Sequence, residues 1–257
     1  MTIISTLEQG VLTLKLNRPQ KFNSFNREMV LALQAALHDA GLDIAVRAIV
    51  LTGEGKAFCA GQDLEEVVSP EGPPLPTIVK EHYNKIILAI RNLEKPVIAA
   101  VNGVAAGAGA NIALACDVII AKKSASFIQA FSKIGLIPDS AGTFFLPRII
   151  GAQKAMALML TGDKVSAEEA EKMNMIYKAI DDETFDAEIM DFALKVAQMP
   201  TYGLGLTKRA LNQSFTNNLE QQLELEGELQ TKAGNSYDFK EGVTAFLEKR
   251  APKFEGK

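Results

Sequence analysis

Residues Lys95–Ala121 read KPVIAAVNGVAAGAGANIALACDVIIA. Two apolar runs within them, Pro96–Val101 and Val118–Ala121, have strand length and read as buried strands. Between the two, Gly107–Cys116 is made almost wholly of small and aliphatic residues and reads as a short helix. Strand, helix and strand in this order imply a parallel connection and an α/β fold. Outward toward the N-terminus the same material recurs. Val11–Asn17 alternates apolar and polar residues and stops before Pro19, as a half-buried strand does. Asn26 precedes a helical pattern of Met29, Val30, Leu33, Ala36 and Leu37 that Gly41 closes. Ala48–Thr52 is a further buried strand ending at Gly53 and Gly55. The four prolines of Ser69–Pro76 imply a loop, and a long helix is expected from Thr77 to Leu93.

Outward toward the C-terminus the signal becomes wholly helical beyond Pro200, so residues 1–199 are expected to form the core and 200–257 a helical region. Ser166–Glu169 and Asp238–Glu241 both have capping-box spacing, and Gly234 ends a charged helix that begins near Leu219. Leu219, Leu223, Leu225 and Leu229 give that helix an apolar face that needs a partner surface, either the chain's own core or a neighbouring subunit.

With 257 residues and 47% apolar content the chain can bury one substantial core. Its 27 basic and 31 acidic residues leave a net charge of −4, which argues against a general nucleic-acid binder. The opening MTIISTLEQG lacks a basic stretch followed by an apolar one, and the Pro96–Ala110 run is too short and broken to span a membrane. A soluble cytoplasmic protein is therefore expected. Cys59 and Cys116 lie in apolar runs with no CxxC spacing, and His38 and His82 stand apart from any cysteine or aspartate cluster, so no metal site is expected.

Three segments depart from ordinary core: KAFCAGQDL (Lys56–Leu64), NGVAAGAGAN (Asn102–Asn111) and IGLIPDSAGT (Ile134–Thr143). Small residues let a backbone approach a ligand, and the first amides of a helix have no internal acceptor. The Ala108 amide, opposed by that of Gln62, would suit a carbonyl oxygen that gains charge; tight helix–strand packing through Gly107 and Gly109 is the other reading. Asp139, following proline and preceding Ser140, reads first as a turn or cap residue, and the other reading is a base whose basicity is raised by Ile134, Leu136, Ile137, Phe144 and Phe145.

Together with the Lys95–Ala121 stretch, KAFCAGQDL and IGLIPDSAGTFFLPRIIG resemble the crotonase family in order and spacing, and TYGLGLTKRALN and DFKEGVTAFLEKRAPKF continue the likeness into the tail. The resemblance implies a spiral of ββα units with a C-terminal helical oligomerisation region, a trimer or dimer of trimers, and an acyl-coenzyme A substrate with no separate cofactor. It implies that the amides of Gln62 and Ala108 form an oxyanion hole. It places the two glutamates of the hydratases at Asn111 and Phe131, so ordinary hydration has no residue to hold a water. The family's isomerases can use an aspartate at Asp139 as their single base. Within the family the chain is most similar to the isomerases that convert ring-1,2-epoxyphenylacetyl-CoA to oxepin-CoA in phenylacetate catabolism. Isomerisation of Δ3,Δ2- or dienoyl-CoA, fatty enoyl-CoA hydration and a non-catalytic binding protein are the alternatives. A dehalogenase is less suited, since that pattern leans on a tryptophan and the chain has none. For the coenzyme the resemblance points to Lys21 and Phe22 in the Arg18–Asn23 loop and to Ala60, Asp63 and Leu64, with Lys253, Lys257 or Phe246 of an adjacent subunit as weaker candidates.

Overall fold

A computed structural model describes residues 1–257. Strands β1 (Ile3–Glu8) and β2 (Val11–Leu16) form an antiparallel hairpin. Its turn residues Gln9 and Gly10 have φ of 47° and 85°, as a tight two-residue hairpin demands. Three strand pairs follow: β3 (Ala48–Gly53) with β4 (Ala57–Cys59), β5 (Val97–Val101) with β6 (Val104–Ala106), and β7 (Val118–Lys122) with β8 (Ser126–Ile128). The first strand of each pair joins a six-stranded sheet, and the second joins a four-stranded one. The larger sheet runs β1-β2-β3-β5-β7-β10, where β10 is Lys178–Ile180, and is parallel from β2 onward. The smaller runs β4-β6-β8-β9, where β9 is Lys164–Ser166 and pairs antiparallel to β8. A helical segment follows each pair: residues 64–68 and 75–92 after β4, Ala108–Ala115 after β6, and Gly142–Ile150 with Ala152–Thr161 after β8. Each ββα repeat thus advances the chain by one strand in both sheets, giving the expected spiral.

Burial explains the sequence pattern. Along β3, Ile49 and Leu51 enter the main core, while Ala48 and Val50 pack on the opposite face with Phe185, Ile189 and Ala193 of helix Phe185–Ala197. Along β5, Val97, Ala99 and Val101 alternate with Ile98 and Ala100 in the same way. A sheet covered on both faces turns its strands into unbroken apolar runs.

The expected loop Ser69–Pro76 is shorter than the prolines suggest. A helix begins at Leu75 and carries Pro76 in its first turn, where no amide is needed. It continues through a π-helical stretch, Ile78–Tyr83, into Asn84–Asn92. Ser166 and Glu169 form the expected capping box. Asp238 does not: the last helix (Tyr237–Glu248) is capped by Ser236, and the Asp238 carboxylate accepts the Glu255 and Gly256 amides at 2.7 and 2.8 Å. Capping spacing arose there because Asp238 ties down the chain end.

Beyond Pro200 the elements are the helices Thr201–Ser214, Leu219–Gly234 and Tyr237–Glu248. Asp117 anchors the first to the core: it accepts from Lys208 Nζ at 2.7 Å and Arg91 Nη1 at 3.3 Å. Of the leucines expected to seek a partner, Leu229 is buried and Leu225 half-buried within the chain, whereas Leu219 and Leu223 remain exposed. No helix is long and apolar enough to cross a membrane.

Candidate active site

Gly61 and Gln62 lie against the start of helix Ala108–Ala115. Gly61 has φ +96°, and a Cβ on it would stand 3.0 Å from Ala106 O and 3.5 Å from Ala108 N. Only glycine lets the two backbones meet this closely. A parallel bridge pairs Gln62 with Phe25: the Phe25 amide donates to Gly61 O at 2.7 Å, and the Asp63 amide donates to Phe25 O at 2.8 Å. That bridge uses groups of the residues either side of Gln62, so the Gln62 N–H itself faces away from Phe25. Ala108 opens its helix, so its N–H has no intrahelical acceptor and sits at the positive end of the helix dipole. The Gly61–Gln62 backbone therefore lies directly against the start of the Ala108 helix, with Ala108 N 3.5 Å from where a Gly61 Cβ would stand. The packing reading of the glycines also holds, because a Cβ on Gly109 would lie 2.4 Å from Cys59 O. The Cys59 thiol is pushed up to about 12 by burial, against the opposing hydrogen bond from Gly61, and is no nucleophile.

Asp139 stands in a contorted loop. Ser140 and Ala141, neither a glycine, both take left-handed backbone with φ of 50° and 60°. Asn111 Nδ2 donates to the Asp139 backbone carbonyl at 2.8 Å, and Gln129 Nε2 donates to Asn111 Oδ1 at 2.8 Å. A Cβ on Gly142 would overlap the Asn111 carboxamide at 2.3 Å, so glycine there lets the loop close onto that side chain. Burial raises the Asp139 carboxyl above the ordinary carboxylate range, while Ser140 Oγ, donating to Oδ1 at 2.8 Å, pulls the other way. The apolar residues expected to cause that shift do so only in part. Phe145 is buried, but Ile134, Leu136 and Ile137 point outward, Ile137 being 82% exposed. The positions of the hydratase glutamates hold no carboxylate: Asn111 braces the Asp139 loop, and Phe131 is a buried ring about 4 Å from where a Gly107 Cβ would stand.

Tyr83 carries no motif and was not visible in the sequence. It is buried in the π-helical stretch, and its hydroxyl donates to Gln62 Oε1 at 2.6 Å. Burial, then the neighbouring acidic groups of Cys59, Asp139 and Glu66, push that hydroxyl well above the usual tyrosine value, so it remains a donor.

The residues expected near the coenzyme form one rim. Phe22, with left-handed backbone, is 57% exposed, and its carbonyl accepts the Ala60 amide at 3.0 Å. Ala60 and Leu64 are exposed beside it, and Lys21 reaches across to Glu65 at 2.6 Å. The Asp63 carboxylate is committed inward: it caps helix Leu64–Val68 and pairs with Arg18 Nη2 at 2.7 Å. Burial opposes its charge, but the Arg18 guanidinium and the capped amide outweigh this and hold the carboxyl below its usual range. Of the distal candidates, Phe246 is exposed and Lys257 pairs with Glu255.

A spiral of ββα units that sets the Gly61–Gln62 backbone against the start of a small-residue helix, with a half-buried carboxylate at Asp139, marks an enzyme of acyl thioesters. The chain belongs to the enoyl-CoA hydratase/isomerase (crotonase) family, whose profile matches residues 6–257. It is 50% identical over 99% of its length to the 1,2-epoxyphenylacetyl-CoA isomerase of Escherichia coli K12, covering 98% of that protein. It is 46% identical over 100% of its length to a probable enoyl-CoA hydratase of Rhodobacter capsulatus, again covering 98%. The crystal structure of an enoyl-CoA hydratase from Bacillus anthracis superposes with a TM-score of 0.93 at 31% identity, with 100% of each chain covered.

Proposed function

We propose that the chain isomerises acyl-CoA thioesters with Asp139 as the single base, and that ring-1,2-epoxyphenylacetyl-CoA, converted to oxepin-CoA, is its substrate. Asp139 takes the proton α to the thioester carbonyl, and the charge moves onto the thioester oxygen. The amides of Gln62 and Ala108 hold that oxyanion, each such donor contributing about 2.7–4 kcal/mol. For the epoxide, the enolate sets up opening of the three-membered ring and its expansion to the oxepin. For a 3-enoyl chain, the proton returns at the conjugated carbon. Substrate and product share one formula, so Asp139 ends the cycle as it began and no resident cofactor is required.

The observation that carries this reading is the lack of a carboxylate at either hydratase position. Asp139 has raised basicity, while Asn111 and Phe131 stand at the positions where a hydratase carries its two glutamates. The likeness to the Escherichia coli isomerase supports the epoxide over fatty chains, and buried Phe131 and Phe145 suit an aromatic acyl group. The exposed apolar residues Leu219, Leu223 and Phe246 support assembly through the C-terminal helices, and the family resemblance supports a homotrimer or dimer of trimers. Turnover of a 3-enoyl-CoA and of ring-1,2-epoxyphenylacetyl-CoA by wild type and Asp139→Asn tests the proposal. Loss of about two to four orders of magnitude in the variant is expected for a general base. An equally active variant removes Asp139 from the mechanism, and the faster substrate names the reaction.

A further inference from the structure

The Gln62 side chain is clamped at both ends. Its Oε1 accepts the Tyr83 hydroxyl at 2.6 Å, and its Nε2 donates to Glu66 Oε2 at 3.1 Å. The other Glu66 oxygen accepts the Arg27 amide at 2.9 Å. Arg27 Nη1 lies 3.2 Å from His82 Nε2, and His82 adjoins Tyr83. The ring of contacts therefore closes on the π-helical stretch Ile78–Tyr83, a local geometry that recurs at functional sites. The Tyr83 ring also packs edge-on against Phe25, with centroids 6.0 Å apart and planes at 75°. Phe25 is the bridge partner of Gln62. One buried tyrosine thus fixes Gln62 twice, through the backbone partner it packs on and through the carboxamide it binds. Tyr83 is 1% exposed, so no bulk water replaces its hydroxyl if it is removed.

We infer that Tyr83 is a positioning residue that aims the Gln62 amide at the thioester oxygen through the Gln62 carboxamide, an inference that rests on the oxyanion role given to that amide above. Tyr83 does no chemistry itself. It keeps one peptide plane from rotating as charge arrives. Loss of a whole oxyanion donor lowers kcat by about 10²–10³. A donor left in place but free to swing loses less, and about tenfold is expected.

Tyr83→Phe, Gln62→Met and the double variant are compared with wild type for kcat, KM and circular dichroism. Tyr83→Phe is expected to lose about tenfold in kcat with KM within about twofold, Gln62→Met at least as much, and the double variant no more than Gln62→Met, because both break the Tyr83–Gln62 hydrogen bond and Gln62→Met also frees Glu66. Losses that multiply mean Tyr83 acts by another route, and wild-type kcat in Tyr83→Phe means it does not act; either overturns the inference. If Tyr83→Phe fails to fold, Gln62→Met reads the same bond from its other end, with Glu66→Met as the control for the Glu66 contact it also removes. Binding of 2,4-hexadienoyl-CoA in the Asp139→Asn background separates this inference from the reading beneath it. Polarisation of the conjugated carbonyl shifts its absorbance to the red, and Tyr83→Phe is expected to shrink that shift at saturation. A full shift that Tyr83→Phe leaves unchanged refutes the positioning role. No shift even with Tyr83 present refutes the oxyanion hole.

Discussion

Gly109→Ala tests whether the start of the small-residue helix is a working part or mere packing. The added Cβ would stand 2.4 Å from Cys59 O, 2.7 Å from Cys59 Cβ and 2.8 Å from Sγ. The nearest of these is a backbone oxygen of β4, within the core, and has no rotamer to escape into. Relief to ordinary van der Waals contact needs a shift of about 1 Å, carried by the helix start because β4 is buried throughout and hydrogen-bonded along one edge to β6. Ala108 is the preceding residue and moves with it, away from Gln62. Overpacking costs about 1–3 kcal/mol, and the gain in helix propensity from glycine to alanine returns about 1. The net stability loss is thus small, roughly 2–4 °C in thermal midpoint for a chain near this size. Misplacing a reacting group by about 1 Å costs about 10² in rate. The expected result is a folded protein with kcat down about a hundredfold, measured on whichever thioester wild type turns over. Gly227→Ala is the control: nothing lies within 4 Å of its Cβ in helix Leu219–Gly234, so it should gain about 0.5–1 kcal/mol and keep full activity. Gly109→Ala with wild-type kcat would refute the role given to the Ala108 amide.

The raised pKa of Asp139 means the folded protein holds that proton more tightly than the unfolded chain does, a contribution present below the unfolded value and lost as pH rises through the folded one. Asp139→Asn should therefore melt higher than wild type near neutral pH and lose that advantage below the ordinary carboxylate range; equal midpoints at about pH 7 would contradict the shift. The lowered pKa of Asp63 has the opposite sign, so its stabilisation is present above the unfolded value and fades as pH falls through the folded one. Arg18→Met strands that carboxylate, whose side chain is 10% exposed, and should cost roughly 3 kcal/mol in urea titration. Ser166→Ala removes one side of a capping box and should cost about 1 kcal/mol by the same assay. Asn111→Asp keeps the shape but turns the donor to Asp139 O into an acceptor, leaving that carbonyl unpaired at about 1–3 kcal/mol. Its added charge should also move the acid limb of the kcat/KM profile to higher pH, and an unmoved limb would show that Asn111 does not sense Asp139.

The long parallel strands were legible because burial on both faces leaves continuous apolar runs, as in Val97–Val101. The three-residue strands Val104–Ala106 and Ser126–Ile128 were not, since a segment that short has no period to detect. The first strand escaped notice because only Ile3 of Ile3–Glu8 is buried. In the site, glycine and proline mark Gln62, Ala108 and Asp139 as positions where backbone turns or approaches, and only the resemblance to the family gives them roles. Tyr83 was hidden, since its significance is a contact across 21 residues with Gln62. Burial raises the Asp139 carboxyl as its apolar neighbours in sequence suggest, although flanking residues such as Ile137 are themselves exposed.

Asn111 carries the argument on reaction type further than its mere lack of charge. A hydratase needs a carboxylate at that place aimed at a water, yet here the side chain is occupied on both ends, accepting from Gln129 and donating to the Asp139 backbone. The space around it is closed, because Gly142 comes so near that even a Cβ would overlap. A glutamate at this position would be longer by one carbon and would set a negative oxygen against the Asp139 carbonyl, where the loop requires a donor. The aspartate loop and the second carboxylate are therefore competing solutions for the same few cubic ångströms. On the proposed mechanism, the residue that leaves position 111 without a hydratase carboxylate is the one that braces the loop of the base.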